Sequence, residues 1–120
     1  MILVSVVRDP GKISDEWLEV FARVLPTIIA ERLSELRCSR SVNVEEVEVR
    51  FSDVGPFDVN KFPLGITIHA KHCDFQNQLI INGRAKIIAN DLCESIPGEL
   101  KNFYVWVLDV DGGLFETKPV

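Results

Sequence analysis

Residues 1–12 read MILVSVVRDPGK: an apolar, β-branched run over 2–7, then the turn cluster Arg8-Asp9-Pro10-Gly11-Lys12. The run predicts a buried strand and the cluster predicts its end. A strand that starts without a polar lead-in is unusual, because chain starts fray unless something ties them down. The start of this strand is therefore expected to have a structural or chemical task. The run is too short and too quickly followed by charge for a membrane span or a signal peptide. A cytoplasmic protein with no membrane contact is expected.

Beyond the turn, Ser14 is placed to cap a helix, with Asp15 and Glu16 in the first turn where the dipole favours anions. Trp17, Val20, Phe21, Val24, Leu25, Ile28, Ile29 and Leu33 then recur at three- and four-residue steps, the signature of one helix face. Pro26 lacks a donor, so a kink or break is expected near Arg23. Polar residues 38–41 close the segment. Residues 42–51 predict a half-exposed strand, with Val47, Val49 and Phe51 on one face and Glu46, Glu48 and Arg50 on the other. The stretch DVGPFDVNKFPL, 53–64, is too long for a tight hairpin and predicts a structural arm or a lid.

The pattern then restarts. Ile66, Ile68 and Ala70 alternate with Thr67, His69 and Lys71 as a strand; Asp74 can cap a second helix bearing Ile80, Ile81, Ile87, Ile88 and Leu92. Gly83 is expected to let this helix approach the sheet closely, and Pro97-Gly98 ends it. FYVWVLDV, 103–110, is apolar on both faces, as a central or interface strand would be. DGG turns the chain into a short tail at Leu114-Phe115.

Strand, helix, strand thus occurs twice, in pseudo-repeats 1–52 and 64–112 of a single domain spanning 1–120. Two parallel βαβ units packed together give an α+β fold, a four-stranded mixed sheet with both helices on one face. The other face is left uncovered, and a second subunit is its natural cover. A ferredoxin-like domain shares the same element order but pairs strands two and three differently and needs no such partner.

Composition narrows the function classes. At 120 residues and 47% apolar, the chain can bury one core. A net charge of −5, with both signs mixed through the sequence, argues against a nucleic-acid surface. Cys38, Cys73 and Cys93 lack C-x-x-C spacing, so reduced, mostly buried thiols are expected rather than a disulfide framework or zinc knuckle. In HAKHCD, 69–74, His69, His72, Cys73 and Asp74 are all competent zinc ligands. On a strand His69 and His72 point to opposite faces, so no metal is expected. DVDGG, 109–113, lacks the later ligands of a calcium loop and reads as a turn. No cofactor is expected.

Three stretches carry a family resemblance: VFARVLPTIIA (20–30) with its proline inside helix one, GITIHAKH (65–72), and NFYVWVLDVDGG (102–113). In a duplicated βαβ of this length, they resemble the tautomerase superfamily, in particular its 5-carboxymethyl-2-hydroxymuconate isomerase and macrophage migration inhibitory factor branches. The resemblance implies a homotrimer whose sheets line a central barrel, with the first residue in a pocket between subunits. The family's base is an N-terminal proline. Here position two is Ile2, whose bulk is expected to keep Met1 in place. An α-amine has a reference pKa of roughly 7.7–8.0, so the Met1 amine is a candidate base or Schiff-base former, or it simply packs at the strand end.

The remaining pocket positions follow from the same resemblance. Ile2 lines the pocket; Lys71, next to Ala70 and His72, holds a carboxylate or enolate, unless it is a solvated lysine at a strand end. Arg37 and Arg40 are candidates for the cation ahead of strand two. Tyr104 and Trp106 of a neighbouring subunit form an apolar wall with polar tips, or serve only as interface packing. With no proline at its start, the chain reads as a tautomerase-fold trimer with a degenerate or divergent inter-subunit pocket for a small keto or enol acid. The alternative is an active keto–enol tautomerase with the Met1 amine as base.

Overall fold

Ile2, Val4 and Val6 alternate with Leu3, Ser5 and Val7, and in the computed structural model that alternation is the inner strand β1 (Ile2–Arg8). Residues 2–34, 42–59, 62–71, 78–95 and 103–110 are described, with backbone alone for 71, 78–82 and 109–110. The first set of β1 side chains is buried and the second partly open, as period-two geometry requires of a strand with one covered face. The elements that follow are α1 (Asp15–Ser34), β2 (Val47–Asp53), β3 (Leu64–Lys71), α2 (Gln78–Ser95) and β4 (Phe103–Val110).

The strands form one mixed sheet in the order β2-β1-β3-β4. β1 runs parallel to β2 and antiparallel to β3, and β4 runs parallel to β3. β1 therefore separates β2 from β3, which removes the ferredoxin-like alternative. Val4, Val6, Leu64, Ile66 and Ile68 on the sheet meet Phe21, Leu25 and Ile29 of α1 and Ile88 and Leu92 of α2 in one core. Each is fully buried, and burial of such a side chain is worth about 1.5–3 kcal/mol. Trp17 stacks on Phe21 at 5.1 Å between ring centres, extending the core toward the start of α1.

Several expectations change in the details. α1 runs unbroken through Pro26. The proline takes away its own donor, while burial of Phe21 and Leu25 before it and Ile28, Ile29 and Leu33 after it holds both halves on the sheet. Val20, expected inside, is 37% exposed, and Ala30 takes a place in the core instead. β2 begins at Val47, not at 42. The Val42 N–H donates to Ser34 Oγ at 2.8 Å, tying that residue to the end of α1, and a 3-10 turn over Val44–Glu46 intervenes.

Gly83 faces open space, and no atom would meet a β-carbon built there. It lies about 140° around α2 from the buried Ile88, so it does not set the helix-to-sheet distance. Cys93 is exposed, contrary to the expected burial, one position past the buried Leu92. Cys38 and Cys73 lie outside the described residues, as do Asp74 and Pro97-Gly98.

The Ser14 cap is present, its Oγ accepting from the Trp17 N–H at 3.2 Å. Arg8, at a core-facing position of β1, is buried; it spreads a fork onto Asp53 of β2 (Nε–Oδ1 2.9 Å, Nη2–Oδ2 3.1 Å) and pairs with Asp15 at the start of α1. The Arg8 guanidinium holds the Asp53 carboxyl below the usual carboxylate range, and the two carboxylates raise the arginine. Arg32 and Asp91 link α1 to α2 in the same forked manner. Among the described residues, no helix is long and apolar enough to cross a membrane.

Candidate functional site

With one face of the sheet covered by helices, the chemistry-bearing side chains collect on the other. Their neighbours follow from the register. One row across the strands runs Glu48, Leu3, His69, Leu108; the next runs Arg50, Ser5, Thr67, Trp106; the third runs Ser52, Val7, Gly65, Tyr104. Arg50 pairs with Glu48 two residues before it on the same face, at 3.2 Å. Such an exposed pair is screened by water and holds the arginine only loosely.

Tyr104 and Trp106 lie two residues apart on this open face, and Trp106 is 59% exposed. Periodicity does not single out what positions Tyr104. Gly65, directly opposite on β3, leaves room for its ring to lie over the strand, where a β-carbon would stand 2.4 Å from the ring atoms. Phe62 closes the other side, edge-on to the tyrosine at 5.4 Å. The signal available in the sequence is the glycine itself, an interior strand position without a side chain beside an aromatic.

The expected pocket residues do not all meet in one copy. Ile2 is buried with its side chain in the core, opposite Val47. Lys71 is the last residue of β3, in register with Val110, and β1 starts at that end of the sheet because it runs antiparallel to β3. Tyr104 stands at the far end, opposite Gly65, six residues or about 20 Å along β3 from Lys71. Trp106, opposite Thr67, is about 13 Å away on the same scale. Within one chain the Tyr104 position is thus far from the Lys71 position, and Trp106 lies between them along the sheet. Met1, Arg37 and Arg40 lie outside the described residues.

His69 is on the open face between Leu3 and Leu108, while His72, Cys73 and Asp74 of the metal reading lie outside the described residues. Among those described, no three His, Cys, Asp or Glu side chains come together as a metal site.

No family model matches the sequence, and no curated protein matches it. Solved structures do match its fold. A member of the cis-3-chloroacrylic acid dehalogenase family is 15% identical at a TM-score of 0.60, over 90% of this chain and 74% of that one. A fused 4-OT wild-type symmetric trimer is 10% identical at 0.59, over 90% and 85% of the two chains. A macrophage migration inhibitory factor-like protein from Entamoeba histolytica is 12% identical at 0.55, over 98% and 93%. The resemblance read from the sequence thus holds at the level of architecture, and the chain has the tautomerase/macrophage migration inhibitory factor fold.

Proposed function

We propose that the chain is one subunit of a homotrimer whose pocket, between copies, takes a small keto or enol acid without proline-dependent chemistry. The observation that carries this reading is the roughly 20 Å between the Tyr104 and Lys71 positions on one sheet. A pocket that uses both needs them from different copies. Support comes also from Tyr104 and Trp106, exposed on the sheet face that neither described helix covers, and from solved structures of the same fold that are symmetric and asymmetric trimers.

In this reading Met1, Lys71 and one of Arg37 and Arg40 come from one copy, whose Ile2 side chain stays in the core rather than lining the pocket, and Tyr104 and Trp106 come from its neighbour. The lysine or arginine charge holds the carboxylate, and the aromatic pair excludes water on the other side. In this reading the site is degenerate or divergent because position two is Ile2 and not the proline that the resemblance implies. The pseudo-repeats supply the two parallel βαβ halves that frame it, and the protein works in the cytoplasm.

The test is sedimentation at micromolar concentration, with and without a 2-oxo acid such as phenylpyruvate. A trimer is expected, with the ligand's binding reduced by Lys71→Ala. A monomer overturns the reading.

A further inference from the structure

Alternation along GITIHAKH puts positions 67, 69 and 71 on the face of β3 opposite Ile66, Ile68 and Ala70, which the core takes. The imidazole of His69 is half-buried on that open face, with Leu3 of β1 on one side and Leu108 of β4 on the other. Neither leucine side chain offers a hydrogen bond. Glu48 closes the same row, but it stands beyond Leu3, two strands or about 9.5 Å from His69, and it holds Arg50 at 3.2 Å. Among the described residues His69 has no hydrogen-bond or ion-pair partner. A leucine here would pack against both neighbours at no polar cost. The imidazole gives up part of its solvation between two apolar side chains and gets no partner in exchange, so stability alone does not account for it.

Its place on the sheet says what it can bind. The His69 and Lys71 positions stand two residues apart on one face, about 6.6 Å along β3. Lys71 ends the strand, so the sheet continues beneath a ligand held there only on the His69 side. A small acid whose carboxylate is held at the Lys71 position thus lays its next atoms over His69. In a 2-oxo acid the carbon beside the carboxylate carries a keto oxygen, which accepts a hydrogen bond; in the enol the same oxygen bears a hydrogen and donates it. A neutral imidazole has one N–H donor and one bare acceptor nitrogen and serves either form, whereas lysine and arginine only donate.

We propose that His69 holds the 2-oxo or enol oxygen of the ligand while the lysine or arginine charge holds its carboxylate. The inference deepens the pocket reading and rests on it: the oxygen on the carbon beside the carboxylate becomes the feature that the site selects.

The experiment compares two ligands that share a phenyl ring and a carboxylate: phenylpyruvate, and 3-phenylpropanoate, which has a methylene in place of the keto group. Affinities are measured by calorimetry for wild type, His69→Leu and His69→Gln, with circular dichroism to check folding. His69→Leu is expected to weaken phenylpyruvate about 10-fold, near the upper end of what one neutral hydrogen bond contributes, and to leave 3-phenylpropanoate within about 3-fold. His69→Gln keeps a donor and an acceptor and is expected to recover most of the loss. The chain has two histidines, so His72→Gln assigns the imidazole signal of His69 in NMR spectra. That signal is expected to move when phenylpyruvate is added and to stay when 3-phenylpropanoate is added. Equal losses for both ligands, no loss for either, or a His69 signal that phenylpyruvate leaves in place overturns the role of His69; the pocket reading then still stands if the protein is a trimer and Lys71→Ala weakens phenylpyruvate. A wild type that binds neither ligand overturns both. If His69→Leu is unfolded, the wild-type NMR signal decides alone.

Discussion

Tyr104 occupies the space that a side chain at position 65 would need. A β-carbon on Gly65 would stand 2.4 Å from Cε2 and Cζ of the tyrosine and 2.5 Å from its hydroxyl oxygen. Such contacts do not persist, so adding a methyl group must push the ring off β3. The ring is the far end of a side chain with two rotatable bonds, and it can yield, but it gives up the edge-on contact with Phe62 when it does. Gly65→Ala is therefore expected to destabilise the fold by about 1 kcal/mol, the low end of the cost of overpacking. In a Tyr104→Ala background the same change is expected to be neutral. A double-mutant cycle by urea unfolding checks this; equal costs in both backgrounds would remove Tyr104 as the reason for the glycine.

The Arg8–Asp53 fork makes a pH prediction with a definite sign. Asp53 is held below the ordinary carboxylate value by the hydrogen bond from Arg8, so its contribution to stability is fully present above the unfolded-state pKa, roughly 3.9. It is lost as pH falls through the lower, folded-state value. Arg8 is shifted upward from a value already above the accessible range and adds no pH dependence there. Wild type is therefore expected to be more stable than Asp53→Asn by a constant margin above about pH 5, with the margin closing below about pH 4. Urea midpoints from pH 3 to 7 measure it. A margin unchanged at pH 3 would show that the asparagine loses packing or geometry rather than charge.

These two relationships mark how far the residues can be read without coordinates. Period-two and period-3.6 patterns identify Val4, Val6, Ile66 and Ile68 as one sheet face and Phe21, Leu25, Ile29 and Leu33 as one helix face, because burial acts directly on spacing. Pairing across strands is different. Gly65 against Tyr104, or Arg8 against Asp53 forty-five residues away, depends on register, which local spacing does not carry. The unbroken α1 is a case of packing overriding a local penalty at Pro26. Tyr104 and Trp106 enter only through the family resemblance, since the run 103–110 is apolar on both faces and its spacing singles out neither. Their separation from Lys71 is not legible either, since it emerges only when β4 is set parallel to β3 in its observed register.

The last prediction concerns activity, and magnitudes decide it. A positioned base contributes typically about 10²–10⁴-fold to proton abstraction, and the enolate it forms needs an electrostatic partner. In the family resembled, the base is a proline amine. An amine on Met1 is displaced from one on residue two by about 3.3 Å along β1, and a misplacement of only about 1 Å can cost on the order of 10²-fold. Expressed as residues 1–120, the protein is therefore expected to tautomerise phenylenolpyruvate or 2-hydroxymuconate at least ~10²-fold more slowly than a proline-bearing tautomerase. Intact mass establishes which amine is exposed. Ile2→Pro is the companion variant: proline is tolerated at the first residue of a strand, although the core loses the buried Ile2 side chain, so folding is followed by circular dichroism. A gain of activity in a folded Ile2→Pro, with its methionine removed, is expected if only the base is missing from an otherwise intact pocket. Robust wild-type turnover that is abolished by acetylating the terminal amine would instead overturn the degenerate-site reading and make Met1 the working base. An inactive but folded and trimeric variant would place the loss in the anion-holding side chains, because the base would then be present with nothing to stabilise the enolate it forms.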